Sequence, residues 1–151
     1  ARLYLGDRPE PGSPALSLPG KPLPVNLERV VFGFFIILAL SLNLGFVAGD
    51  MDDPTHHDPW LLFSALMVGL ITSGLKLGDR SQLGALVLAA SLVANLLLMI
   101  AVSAWAISEG GMQQTTAPGL MVTIVSLGYG ALAANVVSVS VLVSDTLMSR
   151  R

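Results

Sequence analysis

The side chains able to do chemistry in this chain are crowded into one short stretch. GDMDDPTHHDPW, residues 49–60, holds Asp50, Asp52, Asp53 and Asp58 together with both histidines, His56 and His57. Carboxylate oxygens suit calcium, magnesium or manganese, and imidazoles add affinity for zinc, copper or nickel. These six residues are the candidate ligands of a divalent cation. Their spacing is neither that of an EF-hand loop nor the i, i+4 histidine pair of a zinc protease helix. Three other readings stay open: a solvated acidic loop with no ligand, a pH-sensitive element built on the histidines, and a carboxylate ring at a pore mouth if several copies assemble. Pro54 and Pro59 predict a rigid turn.

A second group of polar residues lies within long apolar runs: Asn43, Ser91, Asn95, Asn135 and Ser138. An unpaired amide in hydrocarbon costs several kcal/mol. Each asparagine is therefore expected to point inward and find a partner, with Asn95 and Asn135 as partners for each other. They serve either as interhelix hydrogen bonds or as the lining of a polar path for an ion or proton. SLGYG, residues 126–130 (Ser126, Leu127, Gly128, Tyr129, Gly130), resembles the selectivity filter of potassium channels, Thr-Val-Gly-Tyr-Gly. There, carbonyl oxygens replace the ion's hydration shell. Serine replaces the threonine, and Ala131 stands where an aspartate is usual. An uninterrupted helix accounts for the same residues, because Ser126, Gly130, Ala134 and Ser138 form a small-residue stripe that lets helices approach.

The elements that position these groups follow from composition. Of 151 residues 53% are apolar and only 12% charged, about half the charged share of a soluble domain. Four apolar runs occupy residues 30–49, 59–78, 83–107 and 117–144. About 20 residues at about 1.5 Å each cross a hydrocarbon core of about 30 Å. The fold class predicted is an all-α membrane bundle of four transmembrane helices, at about 29–48, 59–78, 82–108 and 117–146. The alternating ten-residue strands of a membrane barrel are absent. Residues 1–27 contain Pro9, Pro11, Pro14, Pro19, Pro22 and Pro24 and read as a flexible tail. Their apolar stretch is too short and broken for a signal peptide.

Sidedness follows from lysine and arginine. Arg2, Arg8, Lys21, Arg29, Lys76, Arg80, Arg150 and Arg151 all fall at one end of such a bundle, and the loops at residues 49–58 and 109–116 contain neither type. The positive-inside rule then places both termini in the cytoplasm and those loops outside. Trp60 and Trp105 are expected as anchors at the outer interface, and Lys76 is expected to snorkel to the inner one.

The segment from VVFGFFIILALSLNLGFVAGD through HHDPWLLFSALMVGLI to LKLGDRSQLGALVLAASLVA resembles an uncharacterised family of small bacterial inner-membrane proteins with four helices. The resemblance spans roughly residues 28–145 and implies architecture and a bacterial inner-membrane location, without an activity or site residues. Net charge is −2, which gives no electrostatic basis for nucleic acid. With no cysteine, thiolate metal sites and cysteine nucleophiles are excluded. There is no nucleophile–base set, intramembrane carboxylate pair or phosphate loop, so an enzyme is not expected. Asp79 and Arg80 read as a helix connector, and Asp145 as screened by Arg150 or Arg151. No cofactor is called for, apart from the divalent cation considered above. The function expected is a cation channel or transporter subunit acting as an oligomer. The alternative is a non-transporting scaffold subunit of a larger membrane complex. Either needs the bilayer and a protein partner.

Overall fold

The computed structural model describes residues 27–78, 81–110 and 117–148. The proline-rich tail, Asp79, Arg80, Arg150, Arg151 and most of the 109–116 loop lie outside the described residues. Four helices follow in order: α1 (Leu27–Val47), α2 (Pro59–Lys76), α3 (Gln82–Gly110) and α4 (Pro118–Met148), with a 3₁₀ turn at Pro54–His56. All four are long and apolar enough to cross a membrane, and there is no strand among the described residues. The protein is a multi-pass membrane protein.

Local chemistry sets the helix ends. Glu28 lies in the first turn of α1, where a carboxylate complements the helix dipole. That helix ends two residues before Gly49, whose φ of 129° reverses the chain. Asp58 caps α2, accepting from the Trp60 backbone N–H at 2.8 Å, and Pro59 occupies the first helical position, where its missing N–H is harmless. Ser81 Oγ accepts from Gly84 N–H at 2.9 Å to start α3. Pro118 opens α4. The expected boundaries hold to within two residues.

The helices close into a ring, with α1 packed on α2 and α4, and α3 packed on α2 and α4. Each contributes one inward row. On α1 it is Phe32, Ile36, Ala39, Asn43 and Phe46; on α2, Leu62, Ala65, Gly69, Thr72 and Ser73. On α3 it is Val87, Ser91, Asn95, Leu98, Ala101 and Trp105; on α4, Met121, Ile124, Ala131, Asn135 and Ser138. The outward rows are as apolar as the inward ones, for example Phe34, Ile37 and Leu44 on α1. A helix apolar all round belongs in a core or in lipid.

Two apolar clusters flank a polar layer. The larger, at the end bearing the 48–58 loop, packs Phe46, Leu62, Leu98, Trp105, Met121, Ile124 and Val125. The smaller, at the end bearing Arg29 and Lys76, packs Phe32, Ile36 and Val87. These are called the loop end and the basic end below. Trp60 is 73% exposed, but Trp105 is 5% exposed and its ring lies 6.1 Å from that of Phe46. The expectation of two lipid-facing tryptophans is corrected for Trp105: its indole fills the bundle between inward-facing neighbours.

Candidate functional site

The loop is built by its own polar groups. Asp53 Oδ1 accepts from the Thr55 backbone N–H at 2.8 Å and from Thr55 Oγ1 at 2.7 Å, capping the 3₁₀ turn. The Thr55 hydroxyl and then its backbone N–H hold the Asp53 carboxyl below the usual carboxylate range, with smaller help from His56 and His57. Asp58 is committed to the α2 cap. Asp50 N–H donates to His56 Nδ1 at 3.3 Å, and the same nitrogen lies 3.5 Å from Asp50 Oδ2. Asp53 Oδ2 is 3.9 Å from His56 Nε2. Asp52 faces solvent.

His57 points the other way, into the bundle, and is 3% exposed. Its Nδ1 lies 2.7 Å from the Phe46 carbonyl oxygen and its Nε2 3.0 Å from that of Asp50. A neutral imidazole donates to one of these and a doubly protonated ring to both. With Nδ1 protonated, the ring donates to Phe46 O and ties the loop to the last turn of α1, where helix carbonyls lack partners within the helix. Both nitrogens face carbonyls rather than the loop's carboxylates. Among the described residues no three His, Asp or Glu side chains converge as a metal site would require. The fold keeps Asp50 and Asp53 beside His56 and separates the other three: Asp58 caps α2, His57 faces inward and Asp52 faces water.

The intramembrane polar residues do converge. Asn43, Ser91, Asn95, Asn135 and Ser138 are all buried. Asn95 Nδ2 donates to Ser73 Oγ at 2.8 Å, so its partner is on α2 and not Asn135. The reason is the helix order, which sets α3 against α2 on this face. Ser91 and Ser138 hydroxyls meet at 3.5 Å. Sequence reasoning missed Gly69, Thr72 and Ser73. A Cβ at Gly69 would overlap Asn95 Oδ1, so that glycine makes room for the amide. The 69/73 spacing, a small residue and a hydroxyl one turn apart on a short helix, was the available signal.

The filter-like stretch takes a different form from a selectivity filter. Residues 126–130 lie inside uninterrupted α4, so their carbonyls point along the helix into its hydrogen bonds and cannot ring an ion. The stretch instead clamps α4 to α1. Gly128 O accepts from Asn43 Nδ2 at 3.2 Å, and Tyr129 Oη donates to Val47 O at 3.3 Å. A Cβ on Gly128 would stand 2.7 Å from Val47 Cγ1 and 3.1 Å from Phe46 Cε1. Of the small-residue stripe only Ser126 faces outward; a Cβ at Gly130 would stand 3.0 Å from Leu97 on α3, Ser138 meets Ser91 there, and Gly128 adds a close approach to α1.

At the basic end, a cavity of about 790 Å³ opens between the first turns of α1, the last turn of α2 and the last turns of α4. Its charged lining is Glu28, Arg29, Lys76 and Asp145. Lys76 Nζ sits 4.6 Å from the centroid of the Phe32 ring, a cation–π geometry that holds the ammonium at the cavity wall.

None of the curated proteins and none of the solved structures matches this chain. Residues 56–146, which take in α2, α3 and nearly all of α4 and leave α1 outside, match a family described as a family of unknown function (DUF6394). Since that match covers more than half of the 151 residues, the chain belongs to this family of unknown function.

Proposed function

We propose that the protein is a non-conducting subunit of a membrane assembly, with its basic end in the cytoplasm and a second membrane protein as its partner. The observation that carries this reading is the apolar plug at the loop end. Phe46, Leu62, Met121, Ile124 and Val125 are at most 1% exposed and Trp105 lies beside them. An ion crossing a single bundle would lose its hydration against these side chains, a cost of order tens of kcal/mol for an unpaired charge. The polar layer supports the same reading, because its amides and hydroxyls bond mostly to other helices and so specify packing.

Transport keeps a narrower form. The exposed carboxylates of Asp50, Asp52 and Asp58 favour cation accumulation at the loop end, and any path would then run between chains of an oligomer. Proteoliposomes of the purified chain separate the two. Under the non-conducting reading, potassium, calcium and proton flux equals that of empty vesicles, and mild-detergent purification from native membranes recovers a discrete larger complex. Flux that scales with protein content and is blocked by neutralising Asp50, Asp52 and Asp58 would establish transport instead.

A further inference from the structure

The cavity at the basic end brings charges of both signs to one space. Glu28 and Arg29 are exposed at its rim, and Lys76 and Asp145 are half-buried in its wall. Two cations and two carboxylates therefore face one space. The rest of the wall is mostly apolar, with Phe32, Leu75, Leu142, Val143 and Leu147 beside Ser81 and Thr146. Its volume of about 790 Å³ falls in the range of about 300–1,000 Å³ that small-molecule sites occupy.

Each feature narrows the occupant. A lone anion would be drawn to Arg29 and Lys76 but repelled by Glu28 and Asp145, and a lone cation would meet the reverse. A group carrying both signs a few atoms apart satisfies all four. Helix ends that terminate a membrane span set this cavity at the level where lipid headgroups lie. The apolar wall offers a surface for the first methylenes of an acyl chain. A phosphate diester bearing a primary ammonium has these properties together. Its phosphate oxygens accept from guanidinium and ammonium donors, and its own N–H groups donate to carboxylates.

We propose that this cavity binds the headgroup of an aminophospholipid, with phosphate held by Arg29 and Lys76 and the primary ammonium held by Glu28 and Asp145. The site is independent of the plug that carries the proposed function, so either reading can fail alone.

The test uses the full chain, purified in detergent, exchanged against mixed micelles of equal phosphatidylethanolamine, phosphatidylcholine and phosphatidylglycerol, and read by native mass spectrometry. The expected result is a retained phosphatidylethanolamine in preference to the other two, since the trimethylated choline cannot donate and the glycerol headgroup carries only negative charge. Arg29→Gln, at an exposed position, should lower retention about tenfold, the weight of one charge-assisted hydrogen bond. Asp145→Asn should retain lipid but move the preference toward phosphatidylglycerol. Equal retention of all three lipids by the native chain, or a pattern unchanged in both variants, would overturn the proposal. So would a thermal shift with soluble glycerophosphoethanolamine as large as with the lipid, because the occupant would then be a free metabolite. Circular dichroism confirms that each variant is helical before it is scored; should Asp145→Asn not fold, Glu28→Gln at the exposed rim reads the same preference.

Discussion

Gly128 and Gly33 lie in the helix interiors of α4 and α1 but in opposite circumstances. A Cβ at Gly128 would press on Val47 and Phe46 within 3.1 Å, whereas nothing lies within 4 Å of one at Gly33. Gly128→Ala should therefore lower stability by about 1–3 kcal/mol, the range for overpacking. Gly33→Ala should raise it by up to about 1 kcal/mol through helix propensity. Thermal unfolding in detergent, followed by circular dichroism, measures both. The Asn95–Ser73 bond calls for a double-mutant cycle with alanine at each position. Coupling of about 0.6 kcal/mol, and at most about 1.7, is expected for such a bond between membrane helices; zero coupling would mean that the 2.8 Å contact adds nothing to folding. Asp53 gives a pH signature. Its carboxyl is held below the usual range by Thr55, so its contribution is complete above the unfolded aspartate pKa of about 4. That contribution is lost as pH falls through the lower folded value. The Thr55 amide resonance should titrate with a midpoint below that of free aspartate, and Asp53→Asn should abolish the titration. A midpoint at or above the ordinary value would show that the turn does not favour the charged carboxylate.

At the scale of elements, the helices were legible because lipid demands long apolar runs; in the structure Pro59, Pro118, Gly49 and Asp58 mark their ends. Asp58→Ala should cost about 1 kcal/mol and fray the first turn of α2, visible as faster amide exchange at Trp60 and Leu61. Which face of each helix turns inward was only partly legible. In water the apolar stripe marks the core; here both faces are apolar, and the useful marks are amides and close-packed glycines. Asparagine proved a sound guide, since Asn43, Asn95 and Asn135 are all buried. Serine did not. Ser103 and Ser126 face outward, each hydroxyl donating to the carbonyl four residues earlier, Met99 O at 2.7 Å and Val122 O at 2.6 Å. A hydroxyl that satisfies itself on its own helix carries no information about neighbours. The loop was ambiguous for a related reason. Residue types that bind metals also cap helices and brace turns, and only the fold distinguishes the uses: Asp58 is a cap, Asp53 a turn brace and His57 a tie to α1.

For the whole molecule, sidedness is the prediction with the simplest measurement. The chain has no cysteine, so a single Asp52→Cys in the exposed loop and a single Ser144→Cys near the basic end each report one side. With the basic end in the cytoplasm, a membrane-impermeant maleimide should label the first in intact cells and the second only after lysis; the reverse pattern would invert the topology. Helix lengths carry a further consequence. The span of α2 is 18 residues, against 29 for α3 and 31 for α4. At about 1.5 Å per residue, α2 reaches only about 27 Å, short of a typical hydrocarbon thickness of about 30 Å, while α3 and α4 overreach it. Lipids beside α2 must shorten or those beside α3 and α4 must stretch, so the bundle imprints a slope on the surrounding leaflet. Such a mismatch makes residence in a membrane a matter of local thickness as much as of recognition.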